Sequence, residues 1–202
     1  MLQIHHHPFS TFARRVRIML VEKNIPYESI EVDMKARAHR APPYLKMNPY
    51  GRVPALVEDD FVLFESTSIL NYLEATHPTP ALIPADARGR ALVDMHMKLC
   101  DIQLTRQTTA IVFPKRFLPP ERWDLNLFAQ MKAEIEKHLA ILEAQLGSND
   151  YLVRNTFSLA DLTYLPFLEF LPMMEITPPP AVAAWSARMS ARPSAVQTKP
   201  AG

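Results

Sequence analysis

Eight residues, His77-Pro-Thr-Pro-Ala-Leu-Ile-Pro84, carry three prolines and divide the chain. Proline has no N–H and a fixed φ, so this stretch can form neither a helix interior nor a central strand. The hydrophobic pattern differs on its two sides. Before it, short apolar runs alternate with helical spacings; after it, helical spacing is the only pattern. The fold class that follows is α/β plus all-α. We expect a first domain over residues 1–78, a linker over 79–86 and a helical domain over 87–202.

In the first segment, Leu2-Gln-Ile-His-His6 reads as a strand. Phe12, Val16, Met19 and Leu20 lie at helical spacing between Thr11 and Lys23, and the run ending at Pro26 closes that helix. Tyr27 to Val32 reads as a second strand, and Lys35 to Met47 is poorly periodic. The run Arg52-Val-Pro-Ala-Leu-Val57 reads as a short buried strand, joined to Val62–Phe64 through an acidic turn. A helix from Ser66 to about Ala75 closes the segment. The order β-α-β then β-β-α demands a parallel crossover and an antiparallel hairpin, hence a mixed four-stranded sheet.

In the second segment, Ala87 to about Ala110 and Glu121 to Leu146 read as long helices separated at Phe113-Pro and Leu118-Pro-Pro120. Ser158 to Leu171 and Ala181 to Ser190 read as shorter ones. Ser158 with Asp161 three residues on forms a capping-box pattern, with Phe157 and Leu162 spaced as a hydrophobic staple. Its simplest meaning is that a helix starts there.

Composition excludes several functions. The formal net charge is +1, so no electrostatic case exists for nucleic acid or an anionic membrane. The single cysteine, Cys100, cannot form an internal disulfide and is expected in the core or at an interface. No signal-peptide pattern opens the chain and no apolar run approaches the ~20 residues of a membrane helix, so the expected location is the cytoplasm. His5 and His7 share a strand face, but no third ligand is suggested, and no metal is expected.

Five pieces carry a resemblance when taken in order: His7-Pro-Phe-Ser10 followed by Arg14-Arg15-Val16, Asn48-Pro-Tyr-Gly-Arg-Val-Pro54, Phe64-Glu-Ser66, the capping box at Ser158, and the tail from Trp185 through Ala-Arg-Pro-Ser194. In this order the chain resembles the cytosolic glutathione S-transferases over nearly its whole length. The serine at position 10 is similar to the serine-type, phi-like and theta-like branches. The resemblance implies a thioredoxin-like first domain and an all-helical second domain.

It also gives Pro54 a purpose. In that family the proline is cis, an isomer that costs an X–Pro bond only ~0.5–1 kcal/mol. The bend frees the N–H and C=O of Val53 to pair with glutathione as an added short strand. Glutathione would be a co-substrate. Ser66, opening a helix, and Glu65 beside it would hold the γ-glutamyl end. His39 and Arg40 would meet the glycyl carboxylate, with Arg52 near the tripeptide and Phe9 near the mouth.

Ser10 would be the catalytic residue, its hydroxyl donating to the thiolate, with Thr11 as the fallback hydroxyl. A serine cannot form a mixed disulfide, which argues against thiol-transfer chemistry. The expected activity is attack of the glutathione thiolate on a hydrophobic electrophile, which would lie against the Ala87 helix and the Phe113–Trp123 region. Peroxide reduction or dehalogenation at the same site is the alternative, and a non-catalytic ligand-binding protein is the rival from another class. The resemblance further implies a homodimer, in which Asp94 or Asp101 could reach the partner's site.

Overall fold

The computed structural model describes residues 1–200 and separates the chain into two compact units. The first contains Met1–Leu82 and the residues from Arg192 on; the second is Ile83–Ala191.

In the first unit the elements are β1 (Leu2–His6), α1 (Thr11–Glu22), β2 (Glu28–Glu31), α2 (Pro42–Leu45), β3 (Ala55–Glu58), β4 (Phe61–Phe64) and α3 (Ser66–Thr76). The sheet order is β2-β1-β3-β4. β1 runs parallel to β2, while β1–β3 and β3–β4 are antiparallel. This is the mixed four-stranded sheet that the alternation of patterns demands. Leu2 and Ile4 of β1, Val16, Met19 and Leu20 of α1, and Ile69, Leu70 and Leu73 of α3 are all buried. A second cluster, Val32, Tyr44 and Ala55, is flanked by Met34, Met47 and Val53.

Two strands are shorter than their apolar runs. β2 ends before Val32, whose N–H pairs with the His6 carbonyl just past the ladder. β3 begins at Ala55 and not at Arg52, because the cis Val53–Pro54 bond precedes it.

The proline segment leaves α3 along a buried cation. Lys23 has no exposed side chain; its Nζ lies 2.7 Å from Glu74 Oε2 and donates to the carbonyls of His77 and Pro80 at 2.6 Å each. Glu74 Oε1 accepts from the Leu82 N–H at 2.9 Å.

A further helix, missing from the sequence reading, belongs to this unit and is numbered last, α9 (Pro193–Thr198). The expected second domain ran to 202, yet Arg192 onward groups with the first unit. The physical reason is Glu22 at the end of α1. Its carboxylate accepts from Arg192 Nε and Nη2 at 2.7 and 2.8 Å and from the Ser194 hydroxyl at 2.5 Å. Burial alone would raise the Glu22 pKa, but the hydrogen bonds from Arg192 and Ser194 outweigh it and hold the carboxyl below its ordinary value.

The second unit is helical: α4 (Ala87–Cys100), α5 (Arg106–Phe117), α6 (Leu125–Leu146), α7 (Leu159–Leu168) and α8 (Pro180–Ser190). The single helix read from Ala87 is interrupted by a π-helical stretch, Asp101–Thr105. Gln107 Nε2 donates to the Ile102 carbonyl there at 3.3 Å. The break expected at Phe113-Pro does not occur, and α5 runs through Pro114. Pro114 withholds an amide from the Ala110 carbonyl, but both residues are only half-buried, so solvent can serve it. α6 starts four residues later than Glu121, because Asp124 caps it by accepting from the Leu127 N–H at 2.9 Å. α7 opens on the Ser158–Asp161 capping box.

Candidate functional site

The site residues converge on the first unit, at the ends of secondary-structure elements where backbone donors are left over. Arg52, Val53, Pro54, Glu65 and Ser66 line one cleft, together with Phe12 and Asn48. Ser10, Phe9, His39 and Arg40 lie outside that lining.

The wall carrying Val53 is held by a buried side chain. Asn48 is 1% exposed. Its amide donates to the Arg52 carbonyl at 2.8 Å, and its Oδ1 accepts from the Tyr50 N–H at 3.0 Å. Tyr44 adds a second bond to the Arg52 carbonyl at 2.6 Å. Burial pushes the Tyr44 pKa up to about 12, so the phenol stays a donor. Gly51 has φ +58° and would place a Cβ 2.8 Å from the His39 carbonyl, so only glycine suits this turn. Val53 lies outside the ladder, and its backbone N–H and C=O form no hydrogen bond among the described residues. An extended peptide alongside would find one donor and one acceptor there.

Across the cleft, Glu65 stands at the N-cap of α3 with φ 71° and makes no side-chain cap. A non-glycine residue at positive φ stores strain, and such strain collects at functional positions. The first intrahelical bond is Ile69 N–H to Glu65 O, so the N–H groups of Ser66 to Ser68 have no helical acceptor. Ser66 is buried, and its Oγ accepts from Arg15 Nη1 at 3.4 Å. The arrangement suits a carboxylate: free amides, a hydroxyl and the positive end of a helix dipole.

Ser10 is the N-cap of α1 and is half-buried. Its Oγ accepts from the Ala13 N–H at 3.2 Å, and its carbonyl accepts from the Arg14 N–H at 2.9 Å. With one lone pair used by the cap, the O–H bond remains to donate, and it finds no acceptor among the described residues. Thr11, the fallback hydroxyl, is already inside the helix.

His39 and Arg40 form a short 3₁₀ turn, Ala38–Arg40. Arg40 Nη1 donates to the Tyr50 carbonyl at 3.2 Å, which ties this turn to the loop leading to Arg52. Burial, followed by the charges of Arg40 and Arg37, lowers the His39 pKa. His39 is therefore a neutral hydrogen-bonding group near pH 7, and Arg40 is the cation of the pair. Phe9 is 42% exposed, with its ring against His7.

Asn48 and Tyr44 were not singled out from the sequence as site residues. The Asn-Pro dipeptide is a turn signal that could have marked Asn48; nothing local marks Tyr44. No group of three or more His, Cys, Asp or Glu among the described residues could hold a metal ion. His5 packs edge-on against Tyr44, and His6 Nε2 lies 2.7 Å from Ser29 Oγ. Cys100 is buried, its Sγ 3.5 Å from the Thr163 carbonyl. Among the described residues no helix is long and apolar enough to cross a membrane.

Known proteins resemble this chain in sequence and in fold. The family model for the glutathione S-transferase N-terminal domain matches residues 4–81, and that for the C-terminal domain matches residues 116–193. A glutathione S-transferase of Silene vulgaris is 32% identical, the alignment covering 96% of this chain and 94% of the relative. The crystal structure of glutathione transferase F7 from Populus trichocarpa is 32% identical, with TM-score 0.88, over 98% of this chain and 97% of that one. A glutathione transferase homologue from Sulfitobacter, solved with bound glutathione, is 26% identical with TM-score 0.84, over 98% and 97% of the two chains. With both domain models matched and close to a third of residues shared over nearly the full length of these relatives, the chain belongs to the glutathione S-transferase family.

Proposed function

We propose that this protein is a glutathione transferase in which Ser10 stabilises the thiolate of bound glutathione for attack on a hydrophobic electrophile. The observation that carries the reading is the state of the Ser10 hydroxyl: it accepts from the Ala13 N–H and keeps its own proton to donate. The unpaired Val53 backbone suits the cysteinyl residue of glutathione, as an added strand. The amides opening α3, with Ser66 and Glu65, suit the γ-glutamyl end. Arg40 and Arg52 supply cationic partners for the glycyl carboxylate, and neutral His39 supplies a hydrogen bond.

The energetics are sufficient. A free thiol has a pKa near ~8.5 and is a few per cent ionised at neutral pH. Lowering it by about two units takes ~3 kcal/mol. One charge-assisted hydrogen bond supplies ~1.5–3 kcal/mol and a helix N-terminus ~0.3–1 kcal/mol. The thiolate then attacks the electrophilic carbon, the carbon–sulfur bond forms, and the leaving group departs with the bonding pair. The thiol proton passes to solvent before attack. No step requires a metal. The protein is further proposed to work as a homodimer in the cytoplasm, as its family resemblance implies.

The test is conjugation of glutathione to an aryl halide by wild type and Ser10→Ala, between about pH 6 and pH 9, the range spanning a free thiol's titration. The variant should bind glutathione and lose most activity at the acid end. Equal activity in the two proteins would remove Ser10 from this role. Glutathione binding without conjugation by either protein would leave a carrier or a hydroperoxide-directed enzyme.

A further inference from the structure

The two ends of α1 are both held by the C-terminal segment. Near its start, the buried Arg14 side chain donates through Nη2 to the Ala195 carbonyl at 3.1 Å. At its end, Glu22 is gripped by Arg192 and by Ser194. Eight residues separate Arg14 from Glu22, about 12 Å along a helix axis. Within α9 the Thr198 hydroxyl donates to the Ser194 carbonyl at 2.7 Å, and Ser194, Ala195 and Thr198 are buried. The segment therefore lies along α1 as a splint, tied to it near the start and at the end of that helix. The backbone N–H of Arg14, the residue held at the near end, donates to the Ser10 carbonyl at 2.9 Å.

We propose that the segment Arg192–Thr198 is a positioning element for the thiol-activating hydroxyl. By holding α1 at both ends it fixes where the helix N-terminus, and with it Ser10, stands relative to the Val53 backbone. Arg192 and Ser194 are positioning residues that act through Glu22 and α1 and touch no substrate. The inference rests on Ser10 being the thiol-activating group. It also assigns Arg192–Thr198 to the first unit, although the C-terminal domain model matches as far as residue 193.

Three changes test it: a stop after Ala191, which removes the splint; Glu22→Gln, which keeps the shape and weakens the grip of Arg192; and Ser10→Ala as reference. The readout is the titration of enzyme-bound glutathione, followed by thiolate absorbance, with kcat/KM across the same pH range. Glu22→Gln should raise the thiol midpoint by about half a pH unit, roughly a threefold loss of thiolate at pH values well below the midpoint. Activity at alkaline pH, where the thiol ionises unaided, should return toward wild type. The truncated chain, if folded, should move further in the same direction. If Glu22→Gln lowers the melting temperature but leaves the midpoint in place, the segment only holds the fold and the proposal is wrong. If Ser10→Ala leaves the midpoint in place, the role of Ser10 fails first, and the two failures are distinguished.

Discussion

The helical unit carries a pair of buried histidines whose protonation should loosen it in mild acid. His138 on α6 is 4% exposed and His96 on α4 is 3% exposed. His138 Nε2 lies 3.1 Å from the Tyr164 hydroxyl, and the two rings stack with centroids 5.7 Å apart. His96 Nδ1 has no hydrogen-bond partner. Burial, and then the proximity of His96, lowers the His138 pKa from 6.5 to about 4, and burial lowers that of His96 too.

The sign follows from linkage. Above the unfolded pKa both states are neutral and neither histidine makes stability depend on pH. Below it the unfolded chain takes up a proton that the folded chain refuses, so stability falls as pH falls, until the folded pKa is reached. At ~1.4 kcal/mol per unit, His138 alone contributes a loss of about 2 kcal/mol between about pH 7 and pH 5, and about 3 kcal/mol by its folded pKa near 4. Two carboxyl groups elsewhere in the chain titrate differently. Asp161, whose buried carboxyl is pushed up, opposes the loss in acid. Glu22, held below its ordinary value, adds to it only below the usual carboxylate range.

Both cancel when wild type is compared with His138→Gln, which keeps a hydrogen-bonding group and removes the titration. Trp185 stands edge-on to Tyr164 at 5.5 Å and reports on this region once Trp123 is replaced by Phe in both proteins. Urea unfolding near pH 7 and near pH 5 should show wild type losing about 2 kcal/mol more than the variant. Equal losses in the two proteins would show that His138 ionises freely in the fold, and the argument from burial would fail.

Other perturbations have equally definite outcomes. Lys23→Met leaves Glu74 buried without its cation and should cost about 3–5 kcal/mol in urea unfolding; adding Glu74→Leu should recover part of that, and strict additivity would deny that the pair is coupled. Asp161→Ala strips four donors, three of them buried (the Ser158 N–H, the Ser158 hydroxyl and Trp185 Nε1) and one part-buried (the Leu152 N–H), of their acceptor. It should cost at least about 4 kcal/mol, and a loss below about 1 kcal/mol would contradict it. Gly51→Ala combines a left-handed backbone with a Cβ 2.8 Å from the His39 carbonyl. It should cost about 1–2 kcal/mol or more in stability and raise the KM for glutathione, since Arg52 and Val53 follow directly; an unchanged KM would detach the turn from the site.

Much of the fold was legible because its signals are local. Strand alternation, the helical spacing of Val16, Met19 and Leu20, and the proline segment each act within one element, and β1–β4, α1 and α3 appear close to where the pattern puts them. The failures share a cause, which is that the deciding partner is distant or solvent intervenes. Pro114 is a helix breaker by propensity, yet it sits inside α5 on a half-buried face. The π-helical stretch after Cys100 leaves apolar periodicity almost unchanged, and its signature is a side chain, Gln107, turned back onto the Ile102 carbonyl. Two helix starts are the exception: Asp124 as an N-cap and Pro193 as a first helical residue are local signals, set among other prolines that end helices.

The candidate site divides along the same line. Ser10 and Ser66 announce themselves as hydroxyls beginning a helix, and Pro54 by its place before a strand. What would make them a site is not in those positions. Glu65 adopts a positive φ that no propensity foretells, and its carboxylate is consequently left out of the cap it would otherwise make. Arg52 is held by Tyr44, eight residues upstream, and by Asn48 from within the loop. Ser10 stands on a helix fixed at its far end by Arg192, 170 residues away from Glu22. A hydroxyl's type follows from one residue, but its aim follows from every contact that keeps its helix from sliding. That is why changes at Glu22 should register in the ionisation of a thiol it never touches.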